Sequence, residues 1–165
     1  MFRAVTLPAG VPGQLLLHSM PGRWEPLHAT WAEAAQSKVT AIVRLADVPE
    51  IRQQSPDYAD ALERGHVPFA VFACEMPDFG VPSEPDAFCA LARDMARRIK
   101  RGEVVLVHCA AGIGRTGIFA AAVLVALGQS LELAREAVSQ AGSDSEMPEQ
   151  RELVAWCASR LGMVT

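Results

Sequence analysis

Close-spaced cysteine pairs are absent from this chain. Its four cysteines, Cys74, Cys89, Cys109 and Cys157, stand far apart, whereas structural zinc sites usually draw ligands from short-spaced pairs. A structural zinc is therefore not expected, no cofactor of another kind is expected either, and free thiols in a reducing cytoplasm are the natural reading. A basic excess is missing too. The 15 Lys and Arg are outnumbered by 19 Asp and Glu, so the chain lacks the surface of a general nucleic-acid binder, and no nucleic-acid partner is expected. One arginine in a loop would still make a local basic pocket.

Met1 to Gly13 shows neither the basic start nor the apolar core of a secretory signal. The longest apolar run, Ile118 to Leu127, falls far short of the ~20 residues that span a bilayer. A cytoplasmic protein with no membrane partner is expected, and a monomer. Repeats, low-complexity tracts and dividing linkers are also lacking. One domain is expected over residues 1–165, with its core at about 15–161.

What is present is an alternation of strand and helix patterns. Leu15-Leu16-Leu17 reads as a strand closed by the turn Met20-Pro21-Gly22, and Leu27 to Lys38 has apolar positions at helical spacing. Val39 to Leu45 is a β-branched strand, and Glu50 to Arg64 is helical with a break near Pro56. Val67 to Ala73 reads as a strand and Cys74 to Pro82 as a loop. A helix then runs from Glu84 or Pro85 to about Arg101, and Glu103 to Val107 is a buried strand. Further helices reach about Leu127, span Leu131 to Gln140, and run from Pro148 to Leu161. This order predicts an α/β fold with a central, mostly parallel sheet flanked by helices.

The most informative segment joins the last of these strands to the helix that follows. Val104 to Val107 leads into His108-Cys109, through Ala110, Ala111, Gly112, Ile113 and Gly114, to Arg115-Thr116-Gly117. In an open α/β sheet, ligands sit beyond the carboxyl ends of strands, where Cys109 falls. A helix starting near Gly114 turns its free N–H groups and positive dipole end back toward the loop. Successive loop N–H groups form an anion nest, and Gly112 and Gly114 permit the unusual backbone angles a nest needs. Arg115 adds a planar fork for two phosphate oxygens.

The same field acts on the thiol. A cysteine beside an arginine at a helix N-terminus has its pKa lowered from ~8.5 to between ~3.5 and ~7.5, and becomes a nucleophilic thiolate. Thr116 is placed to donate its hydroxyl to that sulfur, and His108 to orient the cysteine backbone. A buried cysteine at a strand end is ordinarily just packing. The arginine, the glycines and the flanking strand and helix together argue against that.

His108 to Gly117 resembles the signature loop of the cysteine-dependent protein phosphatases, H-C-x-x-G-x-x-R-[ST]-G, at every position. The inner Ala-Gly-x-Gly-Arg-Thr-Gly is the version shared by protein-tyrosine and dual-specificity phosphatases. The resemblance implies that Cys109 attacks phosphorus, and that Arg115 and the amides of Ala110 to Gly114 bind the phosphoryl oxygens. It also implies that Thr116 assists the second step.

Forming a phosphocysteine expels an alkoxide or phenoxide, which needs a proton. Asp78, in Pro77-Asp78-Phe79-Gly80-Val81-Pro82, is the candidate acid, with Phe79 and Val81 able to cover the cavity. The segment resembles the acid loop of tyrosine-specific phosphatases, usually Trp-Pro-Asp-x-Gly-x-Pro, but Met76 replaces the hinge tryptophan. Asp86 and Glu84 are runner-up acids that read more naturally as helix-start charges. Met147-Pro148-Glu149-Gln150 is similar to segments of small phosphatases in which glutamine helps position the attacking water, while also reading as an ordinary helix start.

The leading expectation is a phosphatase acting on phosphotyrosine in a protein or peptide, with phosphoserine and phosphothreonine as further substrates. A phosphoinositide, RNA end or small metabolite is the alternative, although Ala110, Ala111 and Ile113 supply none of the lysines such substrates often recruit. A non-catalytic phosphate-binding module is the third reading, and an intact acid loop argues against it. The single tyrosine, Tyr58, reads as a core or surface residue sooner than as a pocket wall. Cys74, Cys89 and Cys157 are open as resolving thiols for an oxidised Cys109.

Overall fold

Three apolar strands form the centre of the sheet because their side chains alternate between two buried faces. In the computed structural model, which describes residues 1–161, β2 (Gln14–His18), β5 (Val104–His108) and β3 (Val39–Arg44) run parallel side by side. Leu15, Leu17, Ala41, Val43, Val105 and Val107 enter one apolar cluster; Leu16, Ile42, Val104 and Leu106 enter the other. That period of two is what a sheet covered on both sides requires. β4 (Ala70–Ala73) pairs parallel with β3, and β1 (Arg3–Ala4) pairs antiparallel with β2, giving the order β1-β2-β5-β3-β4. The result is a single α/β fold with a mostly parallel sheet. Residues 162–165 of the expected domain lie outside the described residues.

On one face, α4 (Pro85–Lys100), α6 (Leu131–Gln140) and α7 (Pro148–Leu161) surround α5 (Gly114–Ala126). Buried from Gly114 to Val125, α5 has no polar face, as befits a helix enclosed by others. The opposite face is covered by α1 (Leu27–Gln36), α2 (Val48–Gln54) and α3 (Pro56–Arg64), through Leu27, Trp31, Ile51, Tyr58 and Ala59. No helix among the described residues is long and apolar enough to cross a membrane.

The structure departs from the sequence expectations in four places. β1 is a two-residue strand, too short for any periodicity to reveal. The strand expected from Val67 starts only at Ala70, because Pro68 has no N–H to give a ladder. The first part of the helix expected from Glu50 begins at Val48, where the Asp47 side chain accepts the Glu50 N–H at 2.8 Å and caps it. The fourth correction concerns the thiols. Cys89 on α4 and Cys157 on α7 are joined as a disulfide, with Cα atoms 5.8 Å apart. Neither is therefore available to Cys109, and only Cys74 and Cys109 are free.

Candidate active site

The carboxyl end of β5 delivers Cys109 into a loop whose far end is the first turn of α5. Backbone bonds fix the entry: Leu45 N–H donates to the His108 carbonyl at 3.0 Å and Met20 N–H to the Ala110 carbonyl at 3.0 Å. Cys109 is buried. Its Sγ accepts the Gly112 N–H at 3.2 Å and the Thr116 hydroxyl at 3.1 Å. Two donors thus converge on the sulfur.

The two loop glycines work differently from each other. Gly112 has φ +75°, and a Cβ there would also collide with the His18 carbonyl, so glycine is required on both counts. Gly114 does not have a positive φ; it opens α5, and the absence of its Cβ makes room for the Glu146 side chain. The reading that both glycines supply unusual angles is corrected for Gly114.

Arg115 is 1% exposed, and a buried guanidinium needs a partner. Glu50 provides it from the first turn of α2, with Nη1 and Nη2 each 2.8 Å from one carboxylate oxygen. Nη1 also donates to the Met76 carbonyl at 3.1 Å, and Nη2 lies 3.3 Å from Asp78 Oδ1. Burial works against the charge, but the Glu50 hydrogen bonds and the negative groups at Cys109, Glu50 and Asp78 outweigh it and raise the Arg115 pKa. Nε alone has no protein partner, although it is buried.

His108 is fully buried, and burial pushes its pKa down to about 3, so the ring is neutral. Nδ1 is 2.9 Å from the Cys109 carbonyl and Nε2 is 2.8 Å from the Tyr58 hydroxyl. A carbonyl only accepts, so Nδ1 carries the hydrogen and Tyr58 donates to Nε2. Tyr58 is itself fully buried, and that burial raises its pKa. It is a core residue behind the loop.

The loop that carries Asp78 reaches the Cys109 loop at Arg115. Its entry is tied to β3, as Cys74 N–H and Met76 N–H donate to the Arg44 and Leu45 carbonyls, both at 3.1 Å. Beyond Met76 the support thins: Gly80 N–H donates to the Pro77 carbonyl at 2.9 Å, closing a turn with Phe79 at φ +59°. The Asp78 side chain is 56% exposed and accepts the Phe79 N–H at 3.1 Å. Asp86 sits instead in the first turn of α4, paired with Arg160 at 2.9 Å, and Glu84 is the capping residue just before that helix. Burial pushes the Cys74 thiol up to about 11.

Gln150, fully buried at the start of α7, donates through Nε2 to the Gly80 carbonyl at 3.1 Å. Its Oε1 accepts from Glu146 N–H at 2.8 Å and Met147 N–H at 3.3 Å. The side chain therefore ties the acid loop to the segment before α7.

Glu50 is the site residue that sequence reasoning missed. With Asp47 capping and Pro49 following, it has the pattern of a helix-start charge, and nothing local points it at Arg115. No group of three or more His, Cys, Asp or Glu among the described residues is arranged to hold a metal ion.

A family model described as "Polymorphic toxin system, DSP-PTPase phosphatase" matches residues 18–129. Tyrosine-protein phosphatase 1 of Caenorhabditis elegans is 48% identical over 44 residues, 26% of this chain but only 4% of that protein. Among solved structures, kinase associated phosphatase with its catalytic-site cysteine changed to serine superposes with a TM-score of 0.80 at 17% identity, covering 100% of this chain and 97% of the other. Tk-PTP in its active form gives 0.72 at 26% identity, covering 96% and 97%.

Proposed function

The chain belongs to the DSP-PTPase phosphatase family and is a cysteine-based phosphatase, and from that premise we propose that it hydrolyses phosphotyrosine in proteins or peptides through a phosphocysteine on Cys109. The observation that carries the proposal is the pairing of the doubly hydrogen-bonded Cys109 sulfur with the buried, unpartnered Nε of Arg115. A buried donor without an acceptor is costly, and a phosphoryl oxygen is the acceptor that suits it. The loop amides from Ala110 to Gly114 bind the other oxygens as charge moves onto them.

In the first step the Cys109 thiolate forms an S–P bond while the bond from phosphorus to the leaving oxygen breaks. Asp78 delivers a proton to that oxygen. Water then attacks phosphorus, the S–P bond breaks, and Thr116 donates to the departing thiolate while the Asp78 carboxylate takes the water's proton. His108 holds the cysteine carbonyl and transfers no proton.

Apolar groups at the rim favour phosphoprotein over highly charged small phosphates. Ile113 and Trp24 line one surface cavity with Ala111, alongside Arg3, His18 and Glu25, and Phe79 is exposed on the acid loop. An aromatic leaving group and flanking peptide fit these surfaces better than an inositol polyphosphate, which would want cations in the loop. Phosphoserine and phosphothreonine are included as secondary substrates. A reducing cytoplasm, which keeps the Cys109 sulfur unoxidised, is the proposed setting, and it requires the buried Cys89–Cys157 bond to resist reduction there.

The test is Cys109→Ser in a p-nitrophenyl phosphate assay, with peptide binding measured alongside. Turnover is expected to vanish while the phosphopeptide still binds; full turnover in the variant would sink the mechanism. Comparing kcat/KM on phosphotyrosine, phosphoserine and phosphoinositide substrates tests the substrate class, and a preference for the inositide would overturn it.

A further inference from the structure

Gly112 presents its carbonyl to two donors that no part of the mechanism uses. Arg3, on β1, places Nη2 2.6 Å from that oxygen, and the buried Ser143 hydroxyl, between α6 and α7, donates to it at 2.6 Å. The two donors brace each other. Arg3 Nη1 is 2.9 Å from Ser143 Oγ and 2.9 Å from the Ala141 carbonyl. Three segments distant in sequence therefore meet on a single loop oxygen.

That oxygen matters because of the peptide unit it belongs to. The unit is planar and trans, so the Ile113 N–H points away from the Gly112 carbonyl. Holding the carbonyl toward Arg3 and Ser143 turns the Ile113 N–H to the opposite side. The preceding unit is fixed too, by the Gly112 N–H on Cys109 Sγ. Gly112 sits at φ +75°, and a glycine there has other backbone angles open to it at little cost. Unrestrained, the carbonyl would be free to turn toward the phosphate and repel it.

We propose that Arg3 and Ser143 are positioning residues that lock the Gly112–Ile113 peptide with its N–H facing the phosphoryl group. Arg3 also lines the surface cavity beside Ala111 and Ile113, so Ser143→Ala, at a buried residue behind the loop, separates positioning from direct contact. The Arg3 guanidinium also lies close enough to Cys109 for the two charges to attract, which offsets part of the burial that lowers the Arg3 pKa. The proposal rests on the phosphatase reading of the site, because the amide it orients is useful only to an anion.

Inhibition by inorganic phosphate and steady-state kinetics on p-nitrophenyl phosphate, for wild type, Arg3→Met, Arg3→Lys and Ser143→Ala, test it. Losing one oriented donor to a charged ligand is expected to raise the phosphate Ki and the KM of Arg3→Met by about ten- to a hundredfold, with kcat changed much less. Arg3→Lys, which keeps the charge with fewer donors, should recover part of the loss, and Ser143→Ala should show a smaller rise. A folded Arg3→Met with wild-type Ki overturns the proposal, since detaching β1 would lower stability without touching phosphate affinity. Should Arg3→Met fail to fold, Ser143→Ala decides, and a wild-type Ki there overturns it equally. A wild-type protein that neither turns over the aryl phosphate nor responds to phosphate would instead overturn the phosphatase reading itself.

Discussion

The two loops that meet at this site are held in opposite ways. The segment from Cys109 to Arg115 is mostly buried and is gripped from β1, α2, α3 and the α6–α7 connection, by Arg3, Glu50, Tyr58 and Ser143. The loop that carries Asp78, by contrast, exposes Asp78 and Phe79 and is held between Met76 and Val81, which packs against the core, by one turn, one Gln150 contact and the Asp78–Arg115 ion pair. A cradle for an anion must be preorganised before the anion arrives, or its dipoles lose their advantage. On the proposed role of Asp78 as acid, its segment has to let the substrate in, which a weakly held loop allows.

The largest expected effect breaks the acid loop and leaves the cradle intact. Asp78→Asn keeps the side chain's size but removes its proton. We expect kcat to fall by about a hundred- to ten-thousandfold on substrates with poor leaving groups, and far less on aryl phosphates whose leaving groups need no proton. Phosphate inhibition should change far less than kcat, because Glu50 still holds Arg115. Equal losses across a leaving-group series would remove Asp78 from the role of acid.

The next effect runs the other way and breaks the cradle's support. Glu50→Ala leaves the Arg115 guanidinium buried without its carboxylate, which costs roughly 3 kcal/mol in comparable buried pairs. Both the unfolding midpoint and phosphate affinity should drop. Glu50→Gln keeps a hydrogen-bond acceptor of the same shape and should lose less of each. If Glu50→Ala melted with the wild-type protein, the pair would be contributing nothing to the fold.

The same contrast explains what could be read from sequence. The cradle is written consecutively: an apolar strand, His108-Cys109, two glycines and Arg115-Thr116, all within one strand-loop-helix unit. The acid loop carries its own dense pattern of prolines and glycine. Strand and helix types followed from alternation and spacing, because both faces of β2, β3 and β5 are buried by layers that the alternating order implies. The residues behind the cradle left no such trace. Glu50 looks like a helix-start charge, Tyr58 like any buried aromatic, and Arg3 sits on a strand two residues long. Their meaning comes from folding distant segments together, as does the Cys89–Cys157 bond, whose partners lie 68 residues apart. Gly114 misleads because a glycine in a loop suggests an unusual angle, whereas here the Glu146 side chain occupies the space.

The smallest expected effect sharpens the comparison where the two loops are joined. Gln150 was a candidate for positioning the attacking water, yet its amide is engaged with Gly80 on one side and with Glu146 and Met147 on the other. Those partners argue for a tether on the acid loop, and the two roles act on different steps. A slackened tether slows phosphocysteine formation, where Asp78 must be in place. A misplaced water slows its hydrolysis and lets phosphoenzyme accumulate. For Gln150→Leu we expect a severalfold fall in kcat/KM, of the order of one lost hydrogen bond at ~1 kcal/mol, with no rise in the pre-steady-state burst. A larger burst would restore the water-positioning role and leave the acid loop to stand on its own turn.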